Sequence, residues 1–559
     1  MLANLQETHD AVLKAYQAHR TDELTREEFE DHVAESGFIP AVNEMFLAAL
    51  RTDDTLASQK SIKFHPTMLQ YLLRYLDSPR IVETPHVKDP FPDEFETLGL
   101  RLDALRHLKG EADRTPELVG FAGELLENQR ISFPSPFSNE MLVFTSGFAS
   151  YFRGKPYLFY IAQTCEPLIA IANPNMGNII AFYFPERHLV IGQPLAYDAI
   201  VAHLKVRVLR NIAAVCAYLA NSGPRVPTLI TGFMQHAGHT ILNELTGLDL
   251  ALKTHKRTSK MPLCIGPHEY VETVDLFPEF ANSDIFRINP SETDLFAHGL
   301  ANNILPVRPT MRYYLISKSF RSRMARVAGQ EVQAAGRLSF ERLRKKFTAR
   351  FNKNARVGQS IDLSTVSHNA PIVWVEIRSN HRIWVNQVTG IKTLIDNLKK
   401  SHPKAALFIA GWSRPHALTQ EDTEQIDADM KVFREIAEYG RGSLPVICGV
   451  GLSSREKLQW AYACHCCITS FGSGMTVPCL IANLPSVVHS NKVYTKRPAM
   501  DQDPNTRIVF AEDLYPYEVV AAEHITDVAD TPRYQVRSHE VSGAVIYDYL
   551  LKVIPSNLN

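Results

Sequence analysis

The spacing of apolar positions changes character several times along the chain. Over residues 1–130 it is helical: Leu69, Leu72, Leu73 and Leu76 recur at three- and four-residue steps. Thr25-Arg-Glu-Glu28 ahead of Phe29 and Val33 reads as a capping box opening a helix. Short β-rich runs then take over at Pro156–Ala162, Leu168–Ala172 and Ile179–Phe184. Ile200, Leu204, Val208, Ile212 and Val215 return to helical spacing and predict one long helix over 195–221. From Pro227 the pattern becomes strand, turn, helix: Thr228–Phe233 is apolar, 234–240 polar, and Ile241, Leu242, Leu245 and Leu248 form a stripe. Further strands are expected at Met261–Ile265, Ser283–Ile288 and Asn303–Val307.

From Pro371 the alternation is regular. Ile372–Ile377, Ala405–Ala410, Leu444–Val450, Cys466–Ser470 and Ser486–His489 read as strands. Between them lie a helix that Asn386 caps, a helix over 420–438, and one opened by the capping box Ser453-Ser-Arg-Glu456. Near-continuous apolar strands alternating with helices predict a parallel sheet covered on both faces. The expected organisation is α/β. A helical accessory domain (1–130) and a small α+β region (131–225) precede two Rossmann-like domains, 226–335 and 371–559, joined by a basic linker over 336–370.

Composition narrows this picture without redirecting it. A chain of 559 residues with 45% hydrophobic and 21% charged residues can bury several ordinary cores. The net charge of -1 gives no overall pull toward nucleic acid. Eight cysteines, five of them between Cys448 and Cys479 in strand-like sequence, suit a reducing cytosol better than a disulfide framework. The acidic, amphipathic start is expected to be no secretory signal, and no apolar run reaches membrane-spanning length. Charge is concentrated locally: residues 318–356 carry twelve Lys or Arg against Glu331 and Glu341, with Phe320, Phe340, Phe347 and Phe351 interleaved. That segment suits peripheral contact with anionic membrane, or a solvated linker whose aromatics pack on a neighbour.

Three segments carry candidate chemistry. Ser470-Phe-Gly-Ser-Gly-Met-Thr-Val-Pro478 follows a buried strand and opens a helix. There Gly472 and Gly474 allow backbone N–H groups close to an anion, and Ser470, Ser473 and Thr476 add hydroxyls. It is neither a Walker A motif nor the Rossmann glycine fingerprint, and the plain alternative is an unliganded tight turn. Glu376-Ile-Arg-Ser-Asn-His-Arg-Ile-Trp384 follows the first strand of the same unit. Arg378 and Arg382 there suit phosphate oxygens, and Trp384 suits either stacking on a ligand or packing on the helix behind it. His236-Ala-Gly-His-Thr-Ile-Leu-Asn-Glu244 opens the helix of the first unit, with His239 and His236 as candidate general bases. The bland reading of either histidine is capping or packing. Cys464-His-Cys-Cys467 lacks zinc spacing, because adjacent strand residues point to opposite faces. No metal is expected.

Two α/β halves, each with a glycine turn at a strand-to-helix junction, resemble the GT-B glycosyltransferases. The resemblance spans about residues 227–500 and rests on Thr231–Glu244 and on Ser470–Pro478 followed by Leu484-Pro-Ser-Val-Val-His489. It implies a nucleotide-sugar bound as substrate, with no separate cofactor, and a glycan, lipid-linked or protein acceptor. Arg378, Arg382, Ser470, Gly472, Ser473, Gly474 and Thr476 would hold the donor diphosphate, with Trp384, His489 and Glu244 as further donor-site candidates. The acidic pair of the retaining branch is replaced by Ser or Gly and by an apolar residue, which favours inversion with His239 or His236 as base. The implied setting is glycan or polysaccharide biosynthesis in the cytoplasm, at or near the inner face of the membrane, with no nucleic-acid partner. A nucleotide-sugar epimerase and a non-catalytic scaffold of the same fold are the alternatives.

Overall fold

The computed structural model describes residues 2–52, 63–85, 91–105, 108, 121–162, 166–174, 177–289, 294–311, 314–328, 370–495, 509–511, 517–531 and 537–555. Three large sheets organise them. The first is an antiparallel meander of Ile131–Pro134, Met141–Phe152, Lys155–Ala162, Leu168–Ala172, Ile179–Phe184 and Leu189–Gly192. Arg80–Glu83 adds a parallel edge strand beside Leu189–Gly192. Its strands are apolar on both faces, and alternation sorts them. Phe159, Ile161, Ile169, Ile171 and Tyr183 face a helical layer that includes Phe29, Phe38, Phe46, Leu72, Leu204 and Val215. Leu158, Tyr160, Ala170 and Phe182 face a core shared with Leu229, Ile265 and Leu305 of the first parallel sheet.

Two sequence expectations change here. Packing runs across residue 130, because the N-terminal helices Leu2–Arg20, Arg26–Glu35, Phe38–Leu50 and Pro66–Tyr75 need the meander to bury their apolar faces. The expected single helix over 195–221 is two, Tyr197–Arg210 and Ile212–Ala220, parted at Asn211, whose side chain donates back to Arg207 O at 2.8 Å. The capping boxes at Thr25 and Ser453 are present.

The first parallel sheet runs Ile285–Arg287, Leu263–Ile265, Val226–Thr231, Ile304–Val307. The second runs Val446–Cys448, Ala406–Ala410, Ile372–Glu376, Cys466–Ser470, Ser486–His489, Tyr517–Val519. In chain order these are 3-2-1-4 and 3-2-1-4-5-6, the doubly wound Rossmann order. The fold is therefore α/β with two Rossmann-like sheets behind a helical and β-containing N-terminal region. In each sheet the order reverses between the first and fourth strands, and ligands of such sheets sit beyond the carboxyl ends at that reversal. Here those ends carry Gly232–His239 in the first unit, and Arg378–Arg382 with Ser470–Thr476 in the second.

Asn386 precedes the helix Gln387–Ser401 without capping it by its side chain; the amide instead pairs with the Val541 backbone at 3.1 and 3.3 Å. The helix Lys318–Val327 begins the basic segment and buries Phe320, Met324 and Val327. Its Arg323 pairs with Glu279 at 2.6 Å and Asp249 at 3.1 Å, and Arg326 donates to Leu276 O, so these cations are held by the protein itself. Residues 329–356 of that segment lie outside the described residues, as does the expected linker apart from Ala370. Among the described residues no single helix is long and apolar enough to cross a membrane.

Candidate functional site

In the first unit the chain leaves Val226–Thr231 through Gly232 at φ 74°, where the backbone passes so close to Gly266 that a Cβ would lie 3.1 Å from its nitrogen. The N–H groups of Gly232 and Phe233 donate to Glu244 at 2.8 and 3.4 Å. Glu244 also pairs with Arg308 at 2.5 Å, both about 1% exposed, and Arg308 reaches on to Pro174 O. Glu244 is thus the internal acceptor that shapes the turn, not a group offered to a donor. Beyond the turn, Thr240–Leu245 forms a π-helical turn inside an otherwise α-helical run from Ala237 to Thr254.

His239 and His236 enter this run. His239 Nδ1 is 3.1 Å from Asn243 Oδ1, and Asn243 is itself fixed by a bond to Met311 O at 2.7 Å. Burial lowers the pKa of His239; the Asn243 contact opposes that shift and the Arg382 charge adds to it. His236 is lowered to about 4, by burial first and then by His239, Arg378, His381 and His268. Both imidazoles are therefore neutral at pH 7, the state a proton acceptor needs.

In the second unit the loop after Ile372–Glu376 is anchored by Gln387, whose amide bonds both N–H and C=O of Arg378 at 3.1 and 2.9 Å. The concave side of the glycine turn is filled by the chain's own carboxylate. Glu376 accepts from Thr469 Oγ1 at 2.5 Å and from the Ser470 N–H and Oγ at 3.1 and 3.3 Å. A Cβ on Gly474 would lie 1.7 Å from Glu376 Oε2, so only glycine permits this approach. Arg378 is paired with the same carboxylate at 3.0 Å and donates to Ser473 Oγ at 3.2 Å. The helix expected after the turn is short: a 3₁₀ turn Ser473–Met475, then a π turn Thr476–Ile481. It brings little macrodipole of its own.

Arg382 differs from Arg378. It adopts φ 57°, a left-handed backbone that costs a non-glycine residue about 1–2 kcal/mol. Its guanidinium lies over Tyr494 at 5.5 Å and 2.7 Å from where a Gly472 Cβ would stand. Burial, with Arg378 beside it, lowers it to about 10. Its Nε is buried with no partner among the described residues, and so are Thr476 Oγ1, His489 Nε2 and Ser490 Oγ. Trp384 takes the packing role: it is buried, donates to Val541 O at 2.9 Å and lies on Gly390 of the helix behind it. His489 is buried against His539, ring nitrogens 2.8 Å apart, and burial lowers the two to about 3 and about 2.

The two sheet ends meet. A Cβ on Gly238 would lie 2.5 Å from Ser473 Cβ, 2.9 Å from its Cα and 3.0 Å from Thr476 Oγ1. Around this contact His416 N–H donates to Glu269 O at 3.0 Å, Gln235 bonds Glu421, and Arg455 reaches Asp275 at 3.2 Å. The histidine turn and the serine–threonine turn thus share one interface. Sequence reasoning missed several neighbours. Lys457 is buried and lowered to about 8, by burial opposed by Asp429 and Glu376. Asp429 accepts from Ser379 Oγ and the Trp412 N–H, both at 2.6 Å. Trp412, from the second unit, packs edge to face against His236 of the first. Glu376 closes an apolar strand and opens the segment already singled out, and Trp412 stands two residues beyond another, so strand ends were the available signal; none existed for Asp429.

No family model matches the chain, and a search of curated proteins finds no match. Among solved structures the chain is similar to an alpha,alpha-trehalose-phosphate synthase (UDP-forming) from Burkholderia vietnamiensis, at 8% identity over 66% of this chain and 70% of that one, TM-score 0.27. A protein assigned as a UDP-N-acetylglucosamine 2-epimerase from Listeria monocytogenes is 9% identical over 60% of this chain and 89% of its own, TM-score 0.28. The catalytic domain of starch synthase IV from Arabidopsis thaliana is 11% identical over 62% and 71%, TM-score 0.20. The fold assignment is carried by the strand order, not by these likenesses.

Proposed function

We propose that the protein is a glycosyltransferase that moves a sugar from a nucleotide-sugar to an acceptor hydroxyl with inversion. The observation that carries this is the meeting of two Rossmann reversal points, Gly238 against Ser473, with neutral histidines on one side and, on the other, Arg382, whose Nε has no partner among the described residues. One reversal point supplies a phosphate-side cation and the other a base, as transfer between two substrates requires.

In this reading the acceptor oxygen loses its proton to His239 or His236 as it attacks the anomeric carbon. The bond from that carbon to the diphosphate breaks on the opposite face, and negative charge grows on the departing nucleoside diphosphate. Arg382, Ser473, Thr476 and Arg378 are the donors set to meet that charge. Because Glu376 already fills the Gly474 side of the turn, the diphosphate is assigned to the Arg382 side. A glycan, lipid-linked or protein acceptor, a cytoplasmic setting and contact with anionic membrane through 318–356 belong to the same proposal.

The epimerase reading has one specific support, the acid–base cluster of Glu376, Asp429 and Lys457 beside the turn. A thermal-shift panel of nucleoside diphosphates and nucleotide-sugars tests the common ground. A ligand at 100 times its Kd should stabilise by about 2.7 kcal/mol, and Arg382→Ala should abolish the shift. No shift with any nucleotide overturns the proposal, and isomerisation of the donor without acceptor selects the epimerase.

A further inference from the structure

Trp412 follows the strand Ala406–Ala410 of the second unit, yet its ring contacts the first unit. Its centroid lies 5.2 Å from that of His236 at 76°, an edge-to-face arrangement. All three of its polar groups are held. The backbone N–H donates to Asp429 Oδ2 at 2.6 Å, the carbonyl accepts from Gly451 N–H at 3.0 Å, and the indole N–H donates to Asp422 Oδ1 at 2.9 Å. Gly411 makes this possible: a Cβ there would lie 2.6 Å from Asp429 Oδ2 and push the strand end away. Asp429 is braced by Ser379, and Asp422 by the capping box with Thr419. With its backbone fixed by two bonds and its ring by the indole bond to Asp422, Trp412 presents a fixed wall to a histidine on a separate unit.

We infer that Trp412 is a positioning residue: it sets the orientation and solvent exclusion of the His236 imidazole across the interface, so that closure of the two units completes the base. The inference rests on His236 being one of the two proton acceptors of the proposed transfer. The groups that shift His236 belong to that interface: His239 on its own turn, His268 on the neighbouring strand-end loop, and Arg378 and His381 on the opposing loop, while the Asp422 carboxylate lies behind Trp412, bonded to its indole N–H. None of the groups that shift His236 is a carboxylate, Asp422 is engaged by the indole N–H, and Trp412 is the ring that shields the imidazole on the side of the second unit.

The test is histidine titration by NMR on the full chain, which needs no substrate. In the wild type the His236 ring should stay neutral until about pH 4. In Trp412→Ala its midpoint should rise toward the ordinary value of about 6.5, with His239 and His268 unmoved. Trp412→Phe, which keeps a ring but loses the Asp422 bond, should hold His236 near its wild-type value. An unchanged midpoint in Trp412→Ala overturns the inference. So does a joint rise of His236, His239 and His268, which would mean the interface had simply come apart. If His236 alone moves but no nucleotide binds, the transferase reading fails and the positioning role stands.

Discussion

The contact between the two units yields a prediction that needs no substrate. Gly238→Ala would place a methyl 2.5 Å from Ser473 Cβ and 2.9 Å from Ser473 Cα. Carbon atoms rest at about 3.5–4.0 Å, so the two turns must separate by about 1 Å. The nearer atom is short and the next is backbone, so no rotamer change relieves both. Overpacking of this kind costs about 1–3 kcal/mol, offset by up to about 1 kcal/mol from replacing glycine with alanine in a helix. Gly299 supplies the internal control. It lies in the helix Leu295–Ala301 with nothing within 4 Å of its would-be Cβ. Gly299→Ala should therefore show the helical gain alone, and the two variants should differ by about 1–3 kcal/mol in urea unfolding. Ser473→Gly should recover part of the loss in the Gly238→Ala background, because it removes the 2.5 Å contact and leaves the 2.9 Å one. A separation of about 1 Å between base and donor turn should also lower turnover by up to about 100-fold. If Gly238→Ala is as stable as Gly299→Ala, the units do not pack at this point and the shared interface is refuted.

Removing the Glu244 carboxylate alone, as in Glu244→Ala, should cost about 3–5 kcal/mol by stranding buried Arg308, while Glu244→Met with Arg308→Met should lose far less than the sum; additive losses in urea unfolding would show that the two do not act as a pair. Folded His489 and His539 titrate near 3 and 2, below the about 6.5 of an unfolded chain, so the unfolded state binds more protons between these values. The stability they contribute is full above about pH 6.5 and falls as pH drops, by up to about 2.7 kcal/mol per pH unit for two protons; a urea midpoint flat from pH 6.5 to 5 contradicts this. Gly474→Ala should force Glu376 out of the turn at about 1–3 kcal/mol, and Glu376→Ala should relieve it; no relief in the double variant would show the clash lies elsewhere.

What the sequence made legible was whatever a local pattern encodes. The parallel strands, the boxes at Thr25 and Ser453 and the two strand-end turns depend on neighbours a few residues apart, and they stand where the spacing put them. Even Asn386 was placed correctly at the start of its helix, although its side chain prefers Val541, a partner 155 residues away. That is the general form of each divergence. Glu244 looked available because its spacing shows a helix face, not the buried Arg308 behind it. Trp384 offered stacking or packing, and Gly390 chose packing by leaving room for the indole. The glycine turn, expected to hold a phosphate-bearing ligand, holds a carboxylate of the chain itself. The resident anion is Glu376, which is 94 positions from Ser470 in the chain and adjacent to it only because the first and fourth strands pair. Strand order, which spacing does not encode, therefore decides what the site can do. Pairing the first strand with the fourth puts Glu376 on Gly474, while Arg382 lies against Gly472 and over Tyr494 with its Nε unbonded among the described residues. Under the proposed transfer, Glu376 already occupies the Gly474 side of the turn, so an incoming phosphate would gain most on the Arg382 side.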